Sequence, residues 1–301
     1  MAWRSVMITR PSHPKYQQEV LKVVQDDGEV SIPLEDISVL LLDNPQITLS
    51  TQLLSACASQ QIAVITVGAD HHPNGVLLPH LPHSRALKVL QMQLALGQPQ
   101  RKRLWQGLVQ RKIRNQGAVL RHHGDDRNAR RLDALASEVK SGDTRNAEAQ
   151  ASQVYFPALF GLGFARRQQR FHNAALNYGY AVIRAALARN LVSYGLLTAL
   201  GLHHHNEQNS FNLADDLIEP FRPLLDAYVL HQFPDDSREG LATEHKAELV
   251  NILHRDISTL DALDNLTRGT LLAATEAIVV SLTQRLGDGG YRLHLPLFAP
   301  E

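Results

Sequence analysis

Short runs rich in Val and Ile, bounded by Gly, Pro, Asn or Asp, fill the first 80 residues. They are VMIT (6–9), EVLKVV (19–24), GEVSIP (28–33), SVLLLD (38–43) and IAVITVG (62–68), and such runs predict strands. Within QDDGEV (25–30) the Asp-Gly pair suits a hairpin turn, which needs positive φ at its centre. Leu53, Leu54, Cys57 and Ala58 fall at helical spacing, so 51–60 predicts one short helix among the strands. HHPNGVLLPHLPHS (71–84) concentrates Pro, Gly, Asn and His, as a turn or linker does.

Beyond that break the apolar positions recur at i, i+3 and i+4 almost to the end. The segments are 85–96, 101–113, 129–142, 147–161, 173–195, 224–233 and 269–287, with Gly142, Gly161, Gly195 and Gly287 as helix stops. No period of 20–50 residues repeats, which argues against a solenoid. The prediction is an α+β protein: a small N-terminal β-rich domain over residues 1–80, then a larger all-helical domain over 85–301.

Charge changes this picture more than composition does. The net formal charge of zero hides a middle section, 80–190, with 19 Lys and Arg against 6 Asp and Glu. Residues 1–79 hold 4 against 8, and residues 191–301 hold 7 against 16. A basic block beside acidic flanks suggests a polyanion partner with carboxylates kept close by. Arg101, Lys102, Arg103, Arg111, Lys112, Arg114, Arg127, Arg130, Arg131, Arg166, Arg167 and Arg170 are the candidate phosphate contacts; ordinary solvated helix faces are the alternative. Cys57 is the single cysteine, which rules out a disulfide framework and a thiolate zinc site. No apolar run approaches the ~20 residues of a membrane helix, and MAWRSVMITRPSHPKY is too polar for a secretory signal. A cytoplasmic protein is expected.

The candidate chemistry gathers in GLHHHNEQNSFNLADDLIEPFRP (201–223). On a helix beginning near Leu213, one broad face is apolar, and Asp215, Asp216 and Glu219 fall outside it. Asp216 and Glu219, three apart, are neighbours whose mutual repulsion a cation would relieve. Pro220 and Pro223 lack an N–H, so the helix should bend or tighten where these acids lie. A solvated helix N-terminus carrying acids that favour the dipole is the alternative. At most one or two of His203, His204 and His205 can point the same way. Two carboxylates with one imidazole suit Mn²⁺ or Mg²⁺ better than zinc. A third candidate acid is Glu148, set among Ala147, Ala149 and Ala151 with Tyr155 nearly on its face; an exposed glutamate in the first turn of a helix, which periodicity alone favours, is the alternative.

Glu148, Ala151, Tyr155 and Phe156 form E-x-x-A-x-x-x-Y-F; NAALNYGYAV (173–182) and G-x-x-H followed by FNLADDLIEPFRP (211–223) complete a set. With WRSVMITRPS, GEVSIPLEDISVLLLDNPQITLS and IAVITV near the start, this resembles the CRISPR-associated protein one family over nearly the whole chain, in the form found beside a single large effector nuclease. The resemblance implies an integrase and endonuclease that inserts spacer DNA into a CRISPR array by 3′-OH attack on a phosphodiester. It implies Glu148, His204 and Glu219 as catalytic metal ligands for Mg²⁺ or Mn²⁺, with Asp216 assisting or forming a second position. Gly201 of G-x-x-H selects His204 over its neighbours. Many relatives carry an acid just before the position of Asn173, where this chain has His172, so Asn173, Asn177 and Tyr178 are expected to pack and hydrogen-bond rather than ligate. Implied partners are double-stranded DNA, a second copy joined through the β domain, and the dimeric CRISPR-associated protein two clamped by two such dimers. A catalytically inactive nucleic-acid-binding scaffold is the competing reading.

Overall fold

The computed structural model describes residues 4–25, 28–68, 73–80, 83–290 and 292–299. The N-terminal part holds two sheets. Strands β1 (Arg4–Ile8), β5 (Ile37–Leu42) and β6 (Ala63–Val67) run parallel in that order, and β7 (Pro73–Leu77) pairs antiparallel with β6. The strands β2 (Lys15–Gln17), β3 (Val20–Gln25) and β4 (Gly28–Pro33) form an antiparallel meander. Helix α1 (Thr51–Ser59) connects β5 to β6, with the Ser50 hydroxyl accepting the N–H of Leu53.

The apolar run ISVLLL is buried at every position because β5 is covered on both faces. Leu40 and Leu42 pack with Leu21, Val23, Leu53 and Cys57 in a small core, whereas Val39 and Leu41 join the large helical core. The alternation of a strand therefore welds the two parts together. A buried ion pair adds to this seam: Lys246 Nζ lies 2.9 Å from Asp43 Oδ2 at the end of β5.

One expectation changes here. The predicted linker at 71–84 contains an edge strand, β7, for which the antiparallel partner β6 outweighs the Pro and Gly content. The Asp26-Asp27 part of the predicted hairpin turn lies outside the described residues, although Gln25 pairs with Gly28 across it.

The helical part is built from α2 (Ala86–Leu94), α3 (Gln98–His122), α4 (Asp126–Glu138), α5 (Ala147–Phe160), α6 (Phe171–Ser193), α7 (Asn212–Leu217), α8 (Arg222–Gln232), α9 (Thr243–Asn251) and α10 (Leu271–Gly287). It is not wholly helical. Strands β8 (Asp256–Leu260), β9 (Leu266–Thr270) and β10 (Leu295–Leu297) make a three-stranded antiparallel sheet, so the α+β assignment stands and the all-helical description of residues 85–301 does not. Its hairpin turns where the Asp261 side chain accepts the N–H groups of Leu263 and Asn265. Among the described residues no helix is long and apolar enough to cross a membrane.

Candidate active site

Helix α3 is the spine of the site. Trp105 is buried, and its ring stacks on His203 at 4.3 Å between centroids, the two planes nearly parallel, with His204 set edge-on at 5.6 Å. Two turns along the same helix, Lys112 reaches inward. One further turn brings Asn115, whose Nδ2 donates to the Pro220 and Pro296 carbonyls at 2.8 and 3.0 Å. The bend predicted from Pro220 and Pro223 is present as a 3₁₀ turn over Glu219–Phe221 between α7 and α8. Asn115 satisfies a carbonyl of that turn.

The turn carries Glu219 into the interior. Glu148 arrives from the first turn of α5, whose start is held by Asp143: its carboxylate accepts the N–H groups of Ala147 and Glu148 at 2.8 and 3.1 Å. Both glutamates meet Lys112. Its Nζ lies 2.6 Å from Glu148 Oε1 and also contacts Glu219 Oε2, while Arg222 Nε donates to Glu219 Oε1 at 2.8 Å. Burial disfavours charge on Glu219, but Arg222 and Lys112 outweigh it and hold the carboxyl at about 2. Burial likewise opposes the Lys112 charge, and Glu219 with Glu148 overcomes it, so the ammonium titrates above its ordinary range.

His204 is fixed differently. Its Nδ1 is 2.8 Å from Asp216 Oδ1, and that hydrogen bond raises the affinity of the imidazole for a proton against the opposing effect of burial. Asp216 is wholly buried and also accepts the backbone N–H groups of Leu202, His203 and His204. Gly201 allows this approach, since a Cβ there would lie 2.2 Å from the His204 carbonyl and 2.8 Å from Asp216 Oδ2. The register expected of G-x-x-H thus has a steric cause.

These contacts correct three assignments. Asp216 is not disposed as a metal ligand, because its carboxylate is spent on three N–H groups and His204; it positions the imidazole. Glu219 and Asp216, outside the apolar face of the expected helix, are both buried: the 3₁₀ turn carries Glu219 inward, and Asp216, on α7, is covered by the backbone of residues 202–204 that it binds. Lys112 is no surface phosphate contact, being buried between the glutamates.

The remaining basic residues divide in two. Lys102, Arg103, Arg114, Arg127, Arg130, Arg131, Arg167 and Arg170 are exposed. Arg101, Arg111 and Arg166 are half-buried, and burial pulls the Arg111 guanidinium down to about 10. Arg166 is held by Asn173 and Asn177 at 2.5 and 2.7 Å, which fits the expected hydrogen-bonding role of those asparagines; Tyr178 is buried in the core. A cavity of about 200 Å³ is lined by Glu148, Glu219, Arg166, Arg222, Tyr180 and Asp226. Trp105, Lys112, Asn115, Asp143 and Asp226 were not singled out from the sequence for these roles. Only Asp143, an acid shortly before an alanine-rich helix start, carries a local signal.

The donor chemistry fits a hard divalent ion: two carboxylates already share one cation, and a third group, an imidazole, has its Nδ1 engaged by a carboxylate and its Nε2 without a partner among the described residues. The closed arrangement is another matter. Among the described residues no three His, Cys, Asp or Glu side chains converge closely enough to hold a metal, and the ammonium of Lys112 takes the place between the acids.

The family model described as CRISPR associated protein Cas1 matches residues 6–247. The chain belongs to the Cas1 family. A CRISPR-associated endonuclease Cas1 of Neisseria meningitidis serogroup C (strain 8013) is 43% identical over 284 residues, covering 92% of this chain and 93% of the relative. Among solved structures, a casposase bound to its integration product superposes with a TM-score of 0.75 at 18% identity, covering 96% of this chain and 92% of the other. A Cas1 protein from Thermotoga maritima gives 0.74 at 16% identity, covering 99% and 100%. At such identities the two structures establish a shared fold.

Proposed function

We propose that this Cas1-family chain is a divalent-metal-dependent DNA strand transferase and endonuclease of CRISPR spacer acquisition. The observation that carries the reading is the convergence of Glu148 and Glu219 on one cation position, with the His204 imidazole oriented by Asp216 and within electrostatic reach of Glu219. In this reading Glu148, Glu219 and His204 would hold Mg²⁺ or Mn²⁺. The ion would neutralise charge developing on the phosphate oxygens and favour deprotonation of the attacking hydroxyl. The reaction is a transesterification: the spacer 3′-OH forms a P–O bond as the 3′-oxygen of the repeat strand departs. One phosphodiester replaces another, so no ATP is needed, and water in place of the hydroxyl gives endonuclease activity.

The chain's own residues do the rest. Asp216 keeps the imidazole in one orientation and tautomer. Arg222 orients Glu219 from the side away from Lys112. Exposed cations on α3, α4 and the segment before α6 supply phosphate contacts, so DNA affinity should fall steeply with salt. The casposase relative bound to an integration product supports the DNA substrate. A second copy would meet the exposed β4, an edge strand of its sheet. The CRISPR-associated protein two dimer is the proposed further partner.

The test is a supercoiled-plasmid integration assay with the purified partner protein in Mg²⁺, Mn²⁺ or EDTA. Glu148→Ala, His204→Ala and Glu219→Ala should each abolish transfer while retaining DNA binding. Metal-dependent transfer by Glu148→Ala would overturn the reading. Lys112 favours a second possibility, a non-catalytic scaffold whose acids are permanently neutralised by its ammonium. That scaffold would bind DNA indifferently to EDTA and transfer nothing.

A further inference from the structure

On the wall of the cavity, the Lys112 ammonium fills the space between two carboxylate oxygens from different elements. Lys112 is 8% exposed and Glu219 5%, so neither can turn into solvent without leaving its partners behind. A Mg²⁺ held by both acids would sit about 2.0–2.1 Å from each ligating oxygen. That point lies in the volume the Lys112 ammonium occupies, 2.6 Å from Glu148 Oε1 and in contact with Glu219 Oε2. Two cations cannot share it.

The same helix offers another seat. Gln116, one turn further along α3, lines the same cavity, and its buried Oε1 has no hydrogen-bond donor. A buried acceptor without a donor is costly and calls for an explanation. Side chains four apart on a helix are neighbours, so the Lys112 ammonium can turn to that oxygen without leaving the cavity. Arg222 bonds the other oxygen of Glu219, so that carboxylate keeps an orienting partner when Lys112 withdraws.

We propose that Lys112 is a built-in competitor for the divalent-ion position: its ammonium bridges Glu148 and Glu219, and ion loading displaces it to Gln116 Oε1. The inference rests on the metal-dependent reading above. It gives the site a defined role for a lysine that the reaction does not otherwise use, because the acids stay paired and in place until an ion able to out-compete an ammonium arrives. The apparent affinity for the ion is lowered by the fraction of molecules in which Lys112 has withdrawn.

The experiment is Mn²⁺ titration of the purified full-length protein, with free Mn²⁺ read by electron paramagnetic resonance. Wild type is compared with Lys112→Met, Gln116→Leu and Glu148→Gln. Lys112→Met should bind about tenfold more tightly, as for a binding-competent state ~10% populated in wild type. Gln116→Leu, which alters no charge, should bind several-fold more weakly because the displaced ammonium loses its acceptor. It separates displacement from mere loss of a positive charge and stands alone should Lys112→Met fail to fold. Unchanged affinity in Gln116→Leu, or unchanged or weaker binding in Lys112→Met, overturns the proposal while leaving the metal reading intact. A wild type that binds no Mn²⁺, or a Glu148→Gln protein that binds it as well as wild type, overturns both.

Discussion

His204 Nδ1 and Asp216 Oδ1 stand 2.8 Å apart, and the same carboxylate gathers the three backbone N–H groups of residues 202–204. One buried acid thus sets both the path of the histidine loop and the direction of its imidazole. Replacing Asp216 by Asn puts an amide that must donate where four donors already point. Transfer should fall about 10–100-fold, as for other groups that orient a metal-binding histidine. Stability should drop by about 1–3 kcal/mol as buried donors lose their acceptor. Integration rate and a denaturant melt read the two effects; wild-type values for both would refute the assigned role.

Gly201 and Gly107 make a matched pair. A Cβ at Gly201 overlaps a backbone carbonyl that cannot give way, whereas at Gly107, within α3, it meets nothing within 4 Å. Gly201→Ala should therefore destabilise by about 1–3 kcal/mol and move His204 out of place. Gly107→Ala should stabilise by about 0.5–1 kcal/mol, since alanine loses less backbone freedom in a helix. Equal effects in a thermal melt would sink the steric account of the G-x-x-H register.

Much of this site was legible in the chain, but only where the cause is local. The 3₁₀ turn at Glu219 follows from two prolines missing an N–H, a fact of the sequence itself. The burial of Asp216 does not, because it depends on a loop fourteen residues upstream folding back to donate three N–H groups. Lys112 stood in a basic block and read as a phosphate contact; its true partners, Glu148 and Glu219, are 36 and 107 positions away. The strand segments of the N-terminal part announced themselves by β-branched runs, yet β8 and β9 were hidden in a region whose neighbours are helices. Long-range contacts decided the places of Asp216 and Lys112, of which periodicity carries no trace, whereas β8 and β9 pair locally, Leu260 with Leu266, in runs too short and polar to stand out.

Asp226 gives a pH signature. Burial pushes its carboxyl up to about 6 from 3.8, although Tyr180, Arg166 and Arg222 pull the other way. A folded-state value above the unfolded one means the native state binds the extra proton between pH ~4 and 6. Stability from this group is thus complete below pH ~4 and lost as pH rises through 6. Two units correspond to ~3 kcal/mol. Asp226→Asn cannot ionise, so the stability gap between variant and wild type should shift by up to that amount in favour of the variant between pH 4 and 7. Urea titrations across this range check it, and a gap independent of pH would show that Asp226 titrates normally.

The seam between the β part and the helices can be tested through Lys246 and Asp43, both buried and 2.9 Å apart. They join the end of β5 to α9 across 203 positions, so they constrain how the sheet seats on the helical core. Removing Asp43 leaves the Lys246 ammonium buried without this counter-ion, which costs about 3–5 kcal/mol. Asp43→Ala should therefore lower the urea midpoint sharply. Replacing both residues by apolar side chains of similar size removes the stranded charge, and Asp43→Leu with Lys246→Met should recover at least half of the loss. The expected order in a denaturant titration is wild type, double variant, single variant. A single variant as stable as wild type would mean that the apolar contacts of Val39, Leu41 and Ile65 alone hold the two parts together.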